Sequence, residues 1–212
     1  MGQYTKNGLY NGYKKNNKER AELDYYATPP VETENILNIL NIDLHRKKVL
    51  EPCIGGGHML SAIIKYCDEN AMSPILFGTD FKDRGYVSDR ANIQYDLDFL
   101  ADDYPIDSAE VVIMNPPYAT LEPFLIRGLE IAKRYLIVLC RMQVIEGEGR
   151  FENIFKNNPP TYMYQYINRI QCWKDGIKPA GSSSQGYCWL VWDKLQPGVE
   201  TTLRWMKRSD KY

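Results

Sequence analysis

The amino-acid sequence predicts an α/β domain built on a largely parallel β-sheet. Continuous apolar runs of strand length recur along the chain, and they alternate with stretches whose apolar residues are spaced as on a helix. Such runs are typical of parallel strands that are buried on both faces. The last two predicted strands have only a loop between them, which favours an antiparallel pair because a parallel connection needs a longer crossover.

The first half of the chain supplies three strands and one helix. Residues 47–52 form a short apolar strand that ends at Pro52, which lacks a backbone donor. Residues 57–69 carry apolar side chains at helical spacing. Residues 75–80 and 92–96 are the second and third strands, and the stretch between them leaves room for only a turn or so of helix.

The second half supplies four strands, rich in β-forming residues, and two helices. The predicted strands are residues 109–115, 135–141, 161–167 and 187–193. The predicted helices are residues 121–134 and 148–157. Pro123 is tolerated in the first turn of one helix, while Pro159 and Pro160 stop the other.

Length and composition indicate one globular domain. The chain of 212 residues can bury a real core, and no apolar run approaches the roughly 20 residues of a membrane helix. Residues 1–22 are rich in Asn, Lys, Gly and Tyr, and they have no apolar core of a signal peptide. We expect them to form a flexible basic arm, with residues 23–212 as a single domain in the cytoplasm and no membrane partner.

The cysteines, histidines and charges argue against several other classes. The five cysteines form no C-x-x-C pair, and His45 and His58 are far apart, so reduced thiols and no metal site are predicted. The formal net charge of −1 gives no global case for nucleic-acid binding. Both chain ends are basic, however, and they either graze a phosphate backbone or merely aid solubility.

A glycine-rich turn follows the first strand in the segment "VLEPCIGGGHML". Gly55 and Gly57 permit a sharp turn and the close approach of a ligand before the next helix begins. The segment is neither a G-x-G-x-x-G motif nor a P-loop, so a plain strand-to-helix turn is the alternative. Glu51 at the strand tip disfavours a phosphate and suits a ligand that carries an amine.

Acidic residues follow the second and third strands. Asp80 lies 23 residues after Gly57, near the spacing at which an acid binds ribose hydroxyls in open α/β sheets, although a turn-capping role is common. Asp96 and Asp98 follow the third strand beside Phe99. A carboxylate here can accept from a base amino group, and the alternative is a solvated acidic loop with Phe99 in the core.

The segment "NPPY" follows the fourth strand. The side-chain carbonyl of Asn115 and the main-chain carbonyl of Pro116 can accept hydrogen bonds from one planar amine, and Tyr118 offers a ring for stacking. Positioning alone lowers the barrier substantially if the methyl donor is a reactive sulfonium. The alternative is a proline-rich turn between a strand and a helix.

Taken in order, these blocks resemble the adenine-specific, amino-directed DNA methyltransferases that use S-adenosylmethionine. The blocks that carry the resemblance are "YYATPP" (25–30), "EPCIGGG" (51–57), "GTDF" (78–81), "DFL" (98–100) and "NPPY" (115–118). The rest of the chain resembles, more loosely, the compact enzymes often found in phage and prophage. The resemblance implies a Rossmann-like methyltransferase fold with a seven-stranded, mostly parallel sheet, an antiparallel last strand pair and helices on both faces.

The resemblance also implies site residues. The implied catalytic residues, which would bind the target adenine, are Asn115, Pro116, Pro117 and Tyr118. The implied cofactor-binding residues are Tyr26, Thr28, Pro29, Glu51, Pro52, Gly55, Gly57, Asp80, Phe81, Asp98 and Phe99. Thr28, Pro29 and Glu51 would serve the methionine end, Asp80 the ribose and Asp98 the adenine amino group. The target adenine would have to leave the DNA stack.

The chain departs from the family in having no room for a separate target-recognition domain. Sequence reading would then depend on loops such as residues 142–149 and 168–186. Candidate nucleic-acid contacts in the second loop are Arg169, Trp173, Lys174 and Lys178. Trp173 would stack on a base or fill the gap left by one, or else it is a half-buried core aromatic. Residues 180–186 are predicted to form a mobile loop.

Other interpretations of the sequence remain open. The same catalytic block occurs in enzymes that methylate RNA bases or the side-chain amide of glutamine in proteins. A non-catalytic module that binds S-adenosylmethionine is a third reading. The recognition sequence, a paired restriction enzyme and the oligomeric state are not predicted.

Overall fold

The computed structural model describes residues 25–180, 185–196 and 200–210. The basic arm predicted at residues 1–22 lies outside the described residues, as does most of the loop predicted to be mobile. The strands are β1 (Tyr26–Ala27), β2 (Lys48–Glu51), β3 (Ile75–Thr79), β4 (Ala91–Gln94), β5 (Ala109–Met114), β6 (Ala132–Arg141), β7 (Tyr162–Tyr166), β8 (Trp173–Lys174), β9 (Tyr187–Asp193) and β10 (Thr202–Met206). The helices are α1 (Pro30–Leu40), α2 (His58–Glu69), α3 (Leu121–Ile131) and α4 (Glu148–Arg150), which continues into a π-turn over Phe151–Phe155.

Eight strands form the central sheet in the order β10-β7-β9-β6-β5-β2-β3-β4. Every neighbouring pair is parallel except the two that involve β9, which runs antiparallel to β6 and β7. The mostly parallel α/β class and the antiparallel pairing of the last two predicted strands are confirmed. The connection from β3 to β4 contains no helix, where the short spacing predicts at most a turn or so.

The prediction of seven strands was wrong by one. The segment 202–206 forms β10, which pairs in parallel with β7 at the edge of the sheet. The sequence around it is polar and basic, which favours a charged tail over a strand. Pairing with β7 satisfies its backbone, and the guanidinium of Arg204 stacks over the ring of Tyr162 with its Cζ atom 4.3 Å from the ring centroid.

The sequence pattern also missed α1 and the small sheet formed by β1 and β8. Pro30 begins α1, a position where the missing N–H is not needed, and the helix packs against α2. β1 and β8 pair antiparallel over two residues each. A strand of two residues leaves no periodicity to detect, and its existence depends on a partner more than 140 residues away.

Alternate residues of the central strands face two separate layers of core. Val111 and Ile113 of β5 pack in the cluster that contains α1 and α2. Val112 and Met114 pack in the opposite cluster, with α3. Helices on both faces are therefore confirmed, and a strand buried on both faces explains the continuous apolar runs.

All five cysteines are free, and four of them are buried. Within the described part of the chain, no helix is long and apolar enough to cross a membrane.

Candidate active site

A cleft opens where the parallel strands β2, β3 and β5 end, beside the loop that follows β4. Parallel strands bring their carboxyl ends to one edge, and ligands of open α/β sheets bind there. Of the residues predicted from sequence, those that line the cleft are Tyr26, Thr28, Glu51, Pro52, Asp80, Phe81, Asp98, Phe99, Asn115 and Pro117. Pro29, Gly55, Gly57, Pro116 and Tyr118 are not among the lining residues.

Glu51 is an unusual buried carboxyl group on the floor of this cleft. The residue is only 3% exposed, and its Oε2 atom has no hydrogen-bond partner among the described residues. Burial, followed by the nearby charge of Asp80, raises the pKa of Glu51 well above its usual range. A buried unpaired acceptor of this kind is stabilised by a ligand that brings a donor or a positive charge.

The glycines of the turn make room for aromatic rings of the chain itself. Gly55 has φ +53°, and a Cβ atom there would lie 2.1 Å from the ring of Tyr25. Gly57 has φ +75°, and a Cβ atom there would lie 2.1 Å from the ring of Tyr86. Glycine is therefore required at both positions. The close approach that it permits is that of a protein side chain, whereas the sequence suggested the approach of a ligand.

Tyr25 ties the glycine turn to the neighbouring loops. Its hydroxyl accepts a hydrogen bond from the Gly56 N–H at 2.7 Å and lies 3.2 Å from Nδ1 of His58. The Arg84 guanidinium covers the ring at 4.3 Å from its centroid. The main-chain carbonyl of Tyr25 accepts from the Asp175 N–H at 3.0 Å. Burial raises the pKa of Tyr25, so its hydroxyl stays protonated at neutral pH.

Asp80 lines the cleft and also holds the turn together. Its carboxylate accepts from the Gly55 N–H at 2.8 Å and from the Lys82 N–H at 2.9 Å. Burial raises the pKa of Asp80, and these backbone bonds oppose the rise. The residue therefore performs the turn-capping role seen as the alternative, from a position that also borders the cleft.

Asp98 and Phe99 combine structural and lining roles. Oδ1 of Asp98 accepts from the Leu100 N–H at 2.9 Å. Phe99 is buried, and its ring packs against Tyr104 and Phe124 with centroids 5.2 Å apart in each case. Both residues border the cleft.

Asn115 lies immediately after β5, and hydrogen bonds fix the orientation of its side-chain amide. Its Nδ2 group donates to the main-chain carbonyl of Tyr26 at 2.8 Å and to Oγ1 of Thr28 at 3.1 Å. Both donors are thereby used within the protein, and Oδ1 receives no hydrogen bond from the described residues. The thiol of Cys53 donates to the main-chain carbonyl of Asn115 at 3.5 Å.

Tyr118 is half-buried in a group of aromatic rings next to Asn115. Its hydroxyl donates to the hydroxyl of Tyr187 at 3.1 Å, and its ring lies 5.6 Å from that of Tyr26. The Arg141 guanidinium covers the Tyr118 ring with its Cζ atom 4.0 Å from the centroid. Burial raises the pKa of Tyr118, so the phenol is neutral.

The candidate nucleic-acid contacts lie near the same edge. Trp173 is partly buried, pairs through β8 with β1 and meets His58 edge-to-face with centroids 5.6 Å apart. Lys174, Lys178 and Arg169 are exposed. Trp173 therefore packs beside the cleft-lining residue His58, while the three basic residues face solvent.

Sequence reasoning missed several residues that shape the site. They are Tyr25, His58, Arg84, Arg141, Cys172 and Tyr187. Tyr25 belongs to the "YYATPP" block, so the family resemblance could have identified it. His58 directly follows the glycine turn, whereas the remaining four belong to none of the motifs and are brought to this edge by folding. Burial raises the pKa of the Cys172 thiol to about 12, so it is no thiolate nucleophile.

The described residues include no cluster of three or more His, Cys, Asp or Glu side chains able to hold a metal ion.

No protein-family model matches the chain, and no curated protein matches it in sequence. A Listeria monocytogenes structure, described as a class I S-adenosylmethionine-dependent methyltransferase, superposes with a TM-score of 0.64 at 16% identity, over 93% of this chain and 70% of that one. The fold is that of the S-adenosylmethionine-dependent methyltransferases.

Two further structures with this methyltransferase fold differ in described role. A Vibrio vulnificus structure, described as a modification subunit of a type I restriction enzyme, has a TM-score of 0.64 at 12% identity over 98% of this chain and 52% of that one. A Pyrococcus horikoshii structure, described as an RNA methyltransferase, has a TM-score of 0.58 at 18% identity over 89% of this chain and 98% of that one. The chain thus spans about half the length of the modification subunit.

Proposed function

We propose that this protein is an adenine-specific DNA methyltransferase, which transfers a methyl group from S-adenosylmethionine to the 6-amino group of a flipped adenine. The observation that carries the proposal is the fixed orientation of Asn115 at the edge of the cleft. Its two amide hydrogens are bonded to Tyr26 and Thr28, so its carbonyl oxygen is left to accept from an amine. The methyltransferase fold and the ordered sequence blocks support the same function.

The cleft residues fit S-adenosylmethionine in chemistry. Glu51 presents an unpaired buried oxygen, which suits the positively charged amine at the methionine end. Asp80 and Phe81 border the cleft where the ribose and adenine would lie, and Asp98 offers a further acceptor. When bound, S-adenosylmethionine would supply a methyl group activated by its positive sulfur.

The protein's own contribution is to position the acceptor. Asn115 Oδ1 and the Pro116 carbonyl would accept the two hydrogens of the target amine, which concentrates its lone pair toward the donor. The aromatic residues around the cleft exclude water from the reacting atoms. Transfer would leave S-adenosylhomocysteine and a positively charged methylated nitrogen, whose extra proton would pass to solvent. None of the residues named here then needs to ionise for this step, since positioning supplies the rate enhancement.

A duplex must release the adenine before it can reach Asn115. The site lies at the edge of a sheet, between the loops that follow the strands. Extrusion of the base is the general solution for enzymes that act on bases, and it costs a few kcal/mol. A fluorescent base analogue at the target position should therefore brighten when the protein binds.

Methylation of RNA is the second candidate, and one observation favours it. The chain covers 98% of the structure described as an RNA methyltransferase, but 52% of the type I modification subunit. The compact chain thus matches the former more closely in extent.

The test is transfer of radiolabelled methyl groups from S-adenosylmethionine to duplex DNA, to RNA and to ribosomal protein. Acceptors are then digested and the labelled product is separated. Labelled 6-methyladenine from DNA supports the proposal. Label confined to RNA replaces it with the second candidate, and binding of the donor without transfer to any acceptor indicates a non-catalytic module.

A further inference from the structure

The open cleft reaches Asn115 and Pro117 but not the ring of Tyr118. The proposed function needs that ring as a stacking surface for the acceptor base. In this structure the guanidinium of Arg141 lies over it, with its Cζ atom 4.0 Å from the ring centroid. A planar base stacks at a similar distance from a ring, so the two groups cannot occupy the same face together.

The fold places Arg141 at this position. It is the last residue of β6, whose parallel neighbour β5 ends next to Asn115. Three tyrosine rings surround its guanidinium: Tyr118 at 4.0 Å, Tyr26 at 5.9 Å, and Tyr187, which is hydrogen-bonded to Tyr118. Electron-rich rings attract a guanidinium, and they attract a flat heterocycle for related reasons.

Arg141 is held by hydrogen bonds to the side chains of Tyr118 and Tyr187, which are neutral groups. Its buried Nε atom has no hydrogen-bond partner among the described residues. Arg134, near the other end of the same strand, provides a comparison. It also stacks on a tyrosine, Tyr135 at 4.7 Å, and donates to that hydroxyl at 2.9 Å. Its Nε atom likewise has no hydrogen bond, but it lies 3.7 Å from the carboxylate of Asp193. Arg134 is held by an acid, whereas the described ion pairs include none that holds Arg141.

We propose that Arg141 occupies the stacking place of the acceptor base on Tyr118 and must swing away before methyl transfer. This inference rests on the proposed function, because it takes the acceptor to be a planar base that carries an amine. Arg141 is then an acceptor-site residue that sets how readily a base enters. A base that stacks more weakly than the guanidinium is excluded, which adds a selection step independent of phosphate contacts.

The test uses adenosine as a neutral acceptor fragment, with saturating S-adenosylhomocysteine to fill the donor site. Arg141→Ala should bind adenosine about fivefold more tightly than the wild type, because no guanidinium competes for the ring. Arg141→Lys keeps the charge without the planar group and should give an intermediate affinity. The absence of phosphate from adenosine removes the electrostatic attraction that would otherwise mask the competition.

Arg134→Ala is the matched control, since it also removes an arginine stacked on a tyrosine from β6. It should leave the affinity for adenosine unchanged, and thermal unfolding should establish that each variant is folded. If Arg141→Ala is unfolded, Arg141→Lys decides the question alone.

Unchanged or weaker adenosine binding by the folded Arg141 variants overturns this inference. If the wild type still labels adenine in DNA, the proposed function survives that result. If no variant binds adenosine and no nucleic acid is labelled, both proposals fail.

Discussion

At the scale of single residues, the site contains polar groups that are only partly hydrogen-bonded within the protein. Asn115 lines the cleft with both amide hydrogens bonded and with no hydrogen bond to Oδ1 from the described residues, while Glu51 has a buried oxygen that finds no partner among them. Each arrangement leaves a hydrogen-bonding capacity that the protein alone does not use. Such unused capacity in a cleft is what a ligand is expected to fill.

Replacing Asn115 by alanine should abolish most turnover and spare donor binding. Asn115→Ala removes the side-chain acceptor for the target amine, and loss of one such positioning group lowers kcat by about 10²-fold or more. Donor affinity, measured by calorimetry, should stay within about twofold, because the proposed donor contacts lie on Glu51 and Asp80. Asn38→Ala is the control, since this exposed asparagine bonds only to a carbonyl of its own helix. Equal loss of donor binding and turnover would indicate that Asn115 is structural.

Replacing Glu51 by glutamine should stabilise the free protein and weaken donor binding. The pKa of Glu51 is raised above 4.5 in the folded state, so its stabilising contribution is fully present below that pH and is lost as the pH rises through the folded pKa. Glu51→Gln removes this loss, and the melting temperature should rise at pH 7 but change little near pH 4. Affinity for S-adenosylmethionine should fall by about tenfold or more, since the charged partner of the amine is gone. A variant that is less stable at pH 7 would contradict the assignment.

At the scale of elements, two connections that border the cleft are made by loops and short strands instead of helices. The connection from β3 to β4 has no helix, and it carries Lys82, Arg84 and Tyr86 over the glycine turn. The small β1–β8 sheet fastens the segment before α1 to the loop that follows β7. Both connections contact Tyr25, which links them to the glycine turn.

Two glycine-to-alanine variants distinguish the effect of the contact with Tyr25 from the effect of backbone strain. Gly55 and Gly85 both have positive φ, +53° and +77°, so alanine is strained at each by roughly 1–2 kcal/mol. Only Gly55→Ala also meets the Tyr25 ring, while a Cβ atom at Gly85 meets nothing within 4 Å. Gly55→Ala should therefore lower the free energy of unfolding by about 1–3 kcal/mol more than Gly85→Ala, and it alone should weaken donor binding. Denaturant unfolding and calorimetry check both expectations, and equal effects would remove Tyr25 from the argument.

At the scale of the whole molecule, the candidate functional residues lie along one edge of the central sheet. Seven of the eight strands run in one direction, and only β9 is reversed, so the loops after those seven share that edge with Asn115 and Glu51. The exposed residues Arg169, Lys174 and Lys178 follow β7 on the same side. With a net charge of −1, any attraction to nucleic acid must come from such local groups.

Salt dependence tests whether this edge contacts a phosphate backbone. Lys174 and Lys133 are both exposed, but Lys133 lies near the beginning of β6, at the opposite edge of the sheet. Lys174→Ala should reduce the slope of log K against log salt for DNA binding by about 1, while Lys133→Ala should leave it unchanged. Because the two variants change the net charge equally, a common effect would point to global charge and against a specific surface.

The sequence by itself determined the fold class and the residue types at the strand ends. Continuous apolar runs, prolines that stop strands and glycines at positive φ are local constraints, and they are visible in a single chain. They were enough to predict five of the parallel strands, the antiparallel pair and the set of residues around Glu51, Asp80 and Asn115.

Only the tertiary structure decided what those residues contact. β10 exists because β7 offers a free edge, β1 exists because β8 reaches it, and Tyr25 fills the space that Gly55 leaves. The position of Arg141 over Tyr118 likewise follows from the pairing of β5 with β6. Such contacts join residues far apart in the chain, and their geometry depends on packing, so no local pattern of residue types could have specified them.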